Sequence, residues 1–430
     1  MKHPELILQL YFLVPQSPLS KKTIDTGFYL HTRQEPNIGI NYRVSAYNLT
    51  SLKSSTFDPS KECKFVTHGY LHHGDRKWLK KIVEALLTYG DYNVFRVDWG
   101  NGSRSLPDIA LANTKVVGAE IAHFINTLKK EFSFDTKKGH CIGHSMGGYV
   151  CGYAGQGVDK LGRITALDLG PREVLEVNNN EKLDPSDAIF VDAIHTDLVL
   201  LNILPSLGEP KPLGHIDIYV NGGYDQSGCD LTLESLLDPT NNFEENLFDV
   251  FSHEIFCSHV RPLPYYIEAL TNQSCQWVAY ECPSDELFKK GECTTCGEDN
   301  SKCGFLGPRA DEYANKTRKN VVLFIETAKK PPFCVQHYVV SISTGVVQRK
   351  PPTGGTITFQ VIGDTGKFTD EFQINRIDHG KIKKSLFINH VKVGHISSVK
   401  LTWKSGHLFL GLLTLKAKMF WESLLLRFLR

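Results

Sequence analysis

No apolar run in this 430-residue chain approaches the length of a bilayer-spanning helix, which needs about 20 residues. Net charge is almost lacking as well. The 48 Lys and Arg residues against 47 Asp and Glu leave +1, so the chain as a whole carries no electrostatic footprint for a nucleic acid. Internal repeats and low-complexity tracts are absent, which excludes a repeat array. Neither a second CxxC pair nor spaced histidines follow Cys293-Thr-Thr-Cys296, and a structural zinc site usually has one or the other. The zinc reading therefore ranks below disulfides.

What is present begins with cysteine. There are 11, and seven crowd between Cys229 and Cys303. Such a cluster implies disulfides and an oxidising, extracytoplasmic compartment. The sequons Asn48-Leu-Thr, Asn272-Gln-Ser and Asn315-Lys-Thr agree with a secreted protein. The nine-residue run Leu6 to Val14 fits a signal-peptide core or a first strand equally well, and no clear small-residue cleavage site follows it.

The length implies two domains. From residue 25 to about 220, short β-rich runs alternate with helical segments. Lys64–Thr67, Asn93–Val97, His140–Ile142 and Arg163–Leu167 read as buried strands. Val116–Phe132 carries Val117, Ile121, Phe124 and Leu128 at helical spacing. Alternation of this kind predicts an α/β fold with a doubly wound, mostly parallel sheet. Residues 229–304 read as irregular and punctuated by cysteine. After Lys329-Lys330-Pro331-Pro332 the period becomes two, in Val339–Ser343, Thr356–Val361 and Val399–Trp403, which predicts a separate β-sandwich. The boundary falls near 330–336, dividing the chain into 1–333 and 334–430.

The sharpest chemical signal is Gly143-His144-Ser145-Met146-Gly147, between a short strand and a small-residue segment that can form a closely packed helix. Flanking glycines let the chain turn sharply, and the turn exposes the Ser145 hydroxyl at a helix N-terminus. A serine hydroxyl needs a base, and the base needs an orienting acid. Asp168 ends the next strand, one helix later, which favours it as the acid; Asp192 and Asp197 are its rivals. The base must come from His215, His253, His259 or the C-terminal histidines. His259 is preferred because Cys257 would fix its loop, and His253 is the runner-up. For an oxyanion hole, Met146 supplies one backbone N–H, and the strand-ending His68-Gly69-Tyr70 is the candidate for the other.

Several separate motifs make the chain, from about Val14 to Trp403, resemble the pancreatic lipase family, animal lipases of the α/β-hydrolase fold. They are Thr67-His-Gly-Tyr70, Val97-Asp-Trp99, Val117-Gly-Ala-Glu120, Gly143-His-Ser-Met-Gly147, Gly162-Arg-Ile-Thr-Ala-Leu-Asp168, Leu183-Asp-Pro-Ser-Asp-Ala188, Ile194-His-Thr-Asp197, Gly214-His-Ile-Asp217 and Val220-Asn-Gly-Gly223. The resemblance implies a catalytic triad of Ser145, Asp168 and His259, with oxyanion donors at Tyr70 and Met146 and no cofactor for catalysis. It implies a structural calcium on Asp184, Asp187 and the carbonyls of Asn179 and Lys182, hard oxygen donors that suit the ion. It pairs Cys229–Cys257, Cys282–Cys293 and Cys296–Cys303. Cys275 and Cys334 match a further bridge of the extracellular phospholipase A1 branch. Cys141 and Cys151 remain as buried thiols, and Cys63 has no assigned role.

The same resemblance makes residues 230–256 an amphipathic lid over the site and 334–430 a β-sandwich of the PLAT type. Leu233, Leu236 and Leu237 share one apolar face of the lid, and Phe243, Leu247 and Phe251 another. A full-length lid favours triacylglycerol at a lipid–water interface, whereas Cys275 and Cys334 lean toward phospholipid. Three departures stand out. Leu169 replaces the family's usual proline after the acid, so a looser turn is expected there. The family's early cysteine pair is missing, and Val14–Pro18 already resembles mature sequence, so a signal peptide is expected to lie outside this chain. The third is an excess of eight positive charges from Glu371 to Arg430, which suits sulfated glycans, anionic lipid or a protein cofactor as partners of the C-terminal domain.

Overall fold

Strands of the first 325 residues assemble into one sheet. In chain order they are β1 (Gly27–His31), β2 (Arg43–Val44), β3 (Cys63–Thr67), β4 (Asn93–Asp98), β5 (Gly139–His144), β6 (Arg163–Leu167), β7 (Phe190–His195), β8 (Ile216–Val220), β9 (Val278–Glu281), β10 (Cys303–Phe305) and β11 (Val321–Ile325). The structure, a computed structural model, describes residues 17–35, 42–170, 183–198, 208–229, 257–293, 295–343, 355–374 and 382–405. Across the sheet the order is β10-β9-β11-β8-β7-β6-β5-β3-β4-β1-β2. Every pairing from β4 to β11 is parallel, and the edge pairings are antiparallel. The chain leaves β3 toward β4 and returns to β5 on the other side of β3. Open α/β sheets form their crevice at such a reversal, outside the carboxyl ends of the strands.

The parallel strands are buried on both faces, as continuous apolar runs require. Phe65, Phe95, Cys141 and Ala166 point into one core, while Val66, Val94, Ile142 and Leu167 point into the other. Helix α1 (Lys77–Tyr89) covers the second face with Trp78, Leu79, Ile82 and Leu86. Helices α2 (Pro107–Phe132) and α3 (Gly147–Gln156) cover the first. Their axes approach closely because Gly118 has no side chain; a Cβ there would stand 2.5 Å from that of Tyr153. Helix α4 (Pro262–Thr271) joins α1 on the second face. Helices on both faces of a largely parallel sheet make this a doubly wound α/β fold, as the resemblance to the α/β-hydrolases implied.

Four local expectations require correction. Helix α2 begins at Pro107, not Val116, because its first turns bury Ala110, Asn113 and Thr114, small or polar residues that leave no apolar stripe. The stretch 229–304 is less irregular than its composition implied: α4, β9 and β10 lie within it. Cys141 and Cys151 are not thiols. They form a disulfide, because β5 and α3 bring their Cα atoms within 5.5 Å. The turn after Asp168 is not loose, since Leu169 is buried and its carbonyl accepts from Glu209 N at 2.8 Å. The other bridges join Cys229–Cys257, Cys275–Cys334, Cys282–Cys293 and Cys296–Cys303. Cys63 is a fully buried free thiol beside Asn93, and burial pushes its pKa up.

Beyond residue 334, β12 (Gln336–Ser343), β13 (Gly355–Gly363), β14 (Lys367–Ile374), β15 (Ile382–Asn389) and β16 (Ile396–Ser405) form two small antiparallel sheets. One pairs β12 with β15, and the other has the order β14-β13-β16. Tyr338 and Val340 from the first meet Phe359, Val361, Phe368 and Phe372 from the second in a common core, as in a β-sandwich.

Candidate active site

Ser145 stands between the end of β5 and the start of α3, at the sheet's point of reversal. Its φ is +54°, in the left-handed region, which costs a serine on the order of 1–3 kcal/mol. The neighbouring glycines make that turn feasible. A Cβ on Gly143 would collide with the carbonyl of Gly147, and one on Gly147 would stand 2.9 Å from the carbonyls of Thr67 and His68. Gly69, just past β3, is equally constrained: a methyl there would stand 2.6 Å from Cβ and 3.1 Å from Oγ of Ser145. The backbone of Gly69 therefore passes directly beside the hydroxyl, with Tyr70 the next residue along. Met146 follows at the cap of α3.

Three side chains converge. Ser145 Oγ lies 2.8 Å from His259 Nε2. His259 Nδ1 lies 2.6 Å from Asp168 Oδ2. Asp168 is fully buried, and its Oδ1 accepts from Thr196 N at 2.8 Å and Asp197 N at 3.2 Å. A carboxylate on Nδ1 selects the tautomer in which Nε2 accepts from the hydroxyl. Such a chain lets an imidazole take a hydroxyl proton while the carboxylate stabilises the imidazolium. His259 sits in the helical turn Cys257–Val260, tied through Cys257 to Cys229.

The rivals are placed elsewhere or differently. Asp192 is engaged by Arg163 at 2.7 Å and Thr165 at 3.0 Å. His215 accepts from Val191 N through Nδ1. His253 and the lid segment 230–256 lie outside the described residues, as do Asn179, Lys182 and the run Leu6–Val14. Asp197 does reach the site. One carboxylate oxygen of Asp197, one of Asp168 and a ring nitrogen of His259 lie within 4.8 Å of one another. Burial first, then the charge of Asp168, push the Asp197 carboxyl up to about 7. Asp184 and Asp187 lie three residues apart, Asp187 Oδ2 accepting from Asp184 N at 3.0 Å. Burial and the charge of Asp184 push Asp187 up to about 7. Asp184 Oδ1 in turn accepts from Ser186 N and Oγ at 2.6 Å, so the described part of this segment is a capped turn whose two carboxylates are hard oxygen donors of the kind a divalent cation takes.

Two supporting residues were not visible in the sequence. His144 Nε2 meets the carbonyl of His259 at 2.9 Å. Gln226, buried three residues before Cys229, accepts from Asn221 on Oε1, offers its side-chain amide to the carbonyls of Thr196, Val220 and Tyr224, and donates its backbone N–H to Ser258 Oγ. It thereby joins the loop that cradles Asp168 to the one that carries His259. The motifs Ile194–Asp197 and Val220–Gly223 hold several of Gln226's partners, but neither singled out Gln226 itself.

A lipase family profile matches residues 9–333. Human pancreatic lipase-related protein 3 is 34% identical over 397 residues, spanning 91% of this chain and 81% of that protein. Pancreatic triacylglycerol lipase of Myocastor coypus is 32% identical over 392 residues, spanning 90% and 82%. Human inactive pancreatic lipase-related protein 1 is 31% identical over 393 residues, spanning 90% and 81%.

Proposed function

The chain belongs to the lipase family, and from that premise we propose that it is a secreted serine hydrolase acting on acylglycerol esters, a triacylglycerol lipase. The observation that carries the reading is the line Ser145 Oγ–His259 Nε2, His259 Nδ1–Asp168 Oδ2, at 2.8 and 2.6 Å. In the proposed mechanism His259 takes the Ser145 proton as Oγ attacks the ester carbonyl. Backbone N–H groups of Tyr70 and Met146 receive the oxyanion. Asp168 orients His259 and stabilises its charged form. The imidazolium returns its proton to the departing alcohol. Water, deprotonated by His259, then attacks the acyl-serine, and Ser145 Oγ leaves with that proton as the fatty acid is released. The close pass of Gly69 against Ser145 supports the oxyanion assignment.

Five disulfides support an extracellular location. The 27 residues between Cys229 and Cys257 support a lid that opens at a lipid–water interface, and hence triacylglycerol as substrate. A calcium ion on Asp184 and Asp187, with the carbonyls of Asn179 and Lys182, would supply structural charge neutralisation outside the reacting groups.

Ser145→Ala is expected to lower hydrolysis by several orders of magnitude with the fold intact, and to abolish labelling by an organophosphate. Retained turnover in that variant would remove Ser145 from the mechanism. A failure of the parent chain to label would leave a lipid-binding protein on a lipase scaffold. The bridge Cys275–Cys334 favours a second reading, phospholipase A1. Paired assays on emulsified triglyceride and phosphatidylcholine separate the two.

A further inference from the structure

Of the five disulfides among the described residues, four tie loops and strand ends in the region 229–334. The fifth is different. Cys141 lies on β5 four residues before Ser145, and Cys151 on α3 six residues after it. Both side chains are fully buried, on the face of the sheet that α3 covers. The bridge therefore closes a ring around Ser145 itself.

That turn has reason to need a clamp. Ser145 is held at φ +54°, and its surroundings are Gly143, Gly147, Gly148, Gly152 and Gly155. Glycine permits the close approach of strand and helix but gives the backbone no side-chain restraint of its own. β5 is hydrogen-bonded on both sides and cannot drift. α3 is glycine-rich and has no such ladder. A small shift of α3 away from β5 would carry Met146 N–H and Ser145 Oγ with it. A misplacement of about 1 Å at reacting atoms can cost about 100-fold in rate.

We propose that the Cys141–Cys151 bridge is a positioning staple that keeps the Ser145 hydroxyl and the Met146 amide in register with His259, so that turnover depends on it. The proposal rests on Ser145 being the nucleophile. Cys141 and Cys151 touch no reacting atom; they act through the backbone they join.

The test compares two double variants of the full chain, Cys141→Ala/Cys151→Ala and Cys282→Ala/Cys293→Ala. The second removes a bridge of nearly equal span, 11 residues against 10, away from Ser145. Each is assayed well below its own unfolding midpoint. The readouts are the phosphonylation rate with a p-nitrophenyl alkylphosphonate, and kcat and KM on a soluble p-nitrophenyl ester. The first variant is expected to lose tenfold or more in phosphonylation and kcat, with KM within about twofold of the parent. The second should keep parental rates. If the first does not accumulate folded, Cys141→Ala/Cys151→Val, which refills part of the lost volume, takes its place with the same readouts. Equal, parental rates in both double variants would overturn the staple while leaving Ser145 as nucleophile. Failure of the parent chain to label would remove the nucleophile reading and the staple together.

Discussion

His144 Nε2 stands 2.9 Å from the carbonyl oxygen of His259, so the ring that precedes Ser145 in the chain holds the backbone of the imidazole that faces it. A carbonyl only accepts, so His144 donates from Nε2. Burial, reinforced by the neighbouring His259, pushes its pKa down to about 3. The two rings lie 4.9 Å apart.

Replacing His144 by Phe keeps a ring and deletes the donor. A buried carbonyl left without its partner costs about 1–3 kcal/mol. His144→Phe is expected to lower the thermal midpoint by several degrees and kcat by about tenfold, with KM little changed. Calorimetry and steady-state kinetics on one soluble ester check both. An unchanged kcat would leave His144 a packing residue only.

Asp168 and Asp197 both approach His259, and they are separable by mutation. Asp168 bonds Nδ1 directly, whereas Asp197 contributes a backbone N–H to Asp168 and a carboxyl held at about 7. Asp168→Asn is expected to lower kcat by about 10⁴, the size associated with loss of the orienting acid. Asp197→Asn is expected to stay within about tenfold of the parent, because Asp168 continues to select the tautomer. The opposite ranking would transfer the acid role to Asp197.

Acid sensitivity should come from buried histidines. His31 and His337 are pushed down to about 4, first by burial. At His31 the charges of Arg96 and Lys80 add to the effect. The unfolded chain, with ordinary values near 6.5, binds protons that the folded chain refuses. Their contribution is fully present above about pH 6.5 and is lost as pH falls through about 4. Urea midpoints measured between pH 7.5 and pH 4 should fall across that window. In His31→Leu, which cannot take up the proton, the fall should be shallower. An identical slope would exclude His31 as a source.

The Asp184–Asp187 pair predicts calcium dependence. Calcium at about 100 times its Kd should add about 2.7 kcal/mol of stability. Removing it with EDTA should lower the thermal midpoint, and calcium should restore it while magnesium restores less. Asp187→Asn should make the midpoint indifferent to both. Indifference in the parent chain would discard the site.

How far the sequence reached depends on the range of each interaction. The stripe Val117, Ile121, Phe124 and Leu128 marks a buried helix face, and the structure packs those residues in one core. The start of the same helix was illegible because Ala110, Asn113 and Thr114 are buried without being apolar. Leu169 was expected to loosen its turn, but it packs against Gly148, a contact between residues 21 apart in the chain.

Sequence by itself determined what local spacing and residue chemistry decide. A serine among glycines between strand and helix must turn sharply, alternation of β-runs with helices favours a parallel sheet, and clustered cysteines with no second metal-ligand pair favour disulfides. Tertiary structure alone decided which distant groups meet. His259 reaches Ser145 across 114 positions, Asp168 reaches His259 across 91, and Cys141 finds Cys151 because the sheet presents one strand face to the helix above it. Those distances follow from strand order and helix packing, which the whole chain settles together.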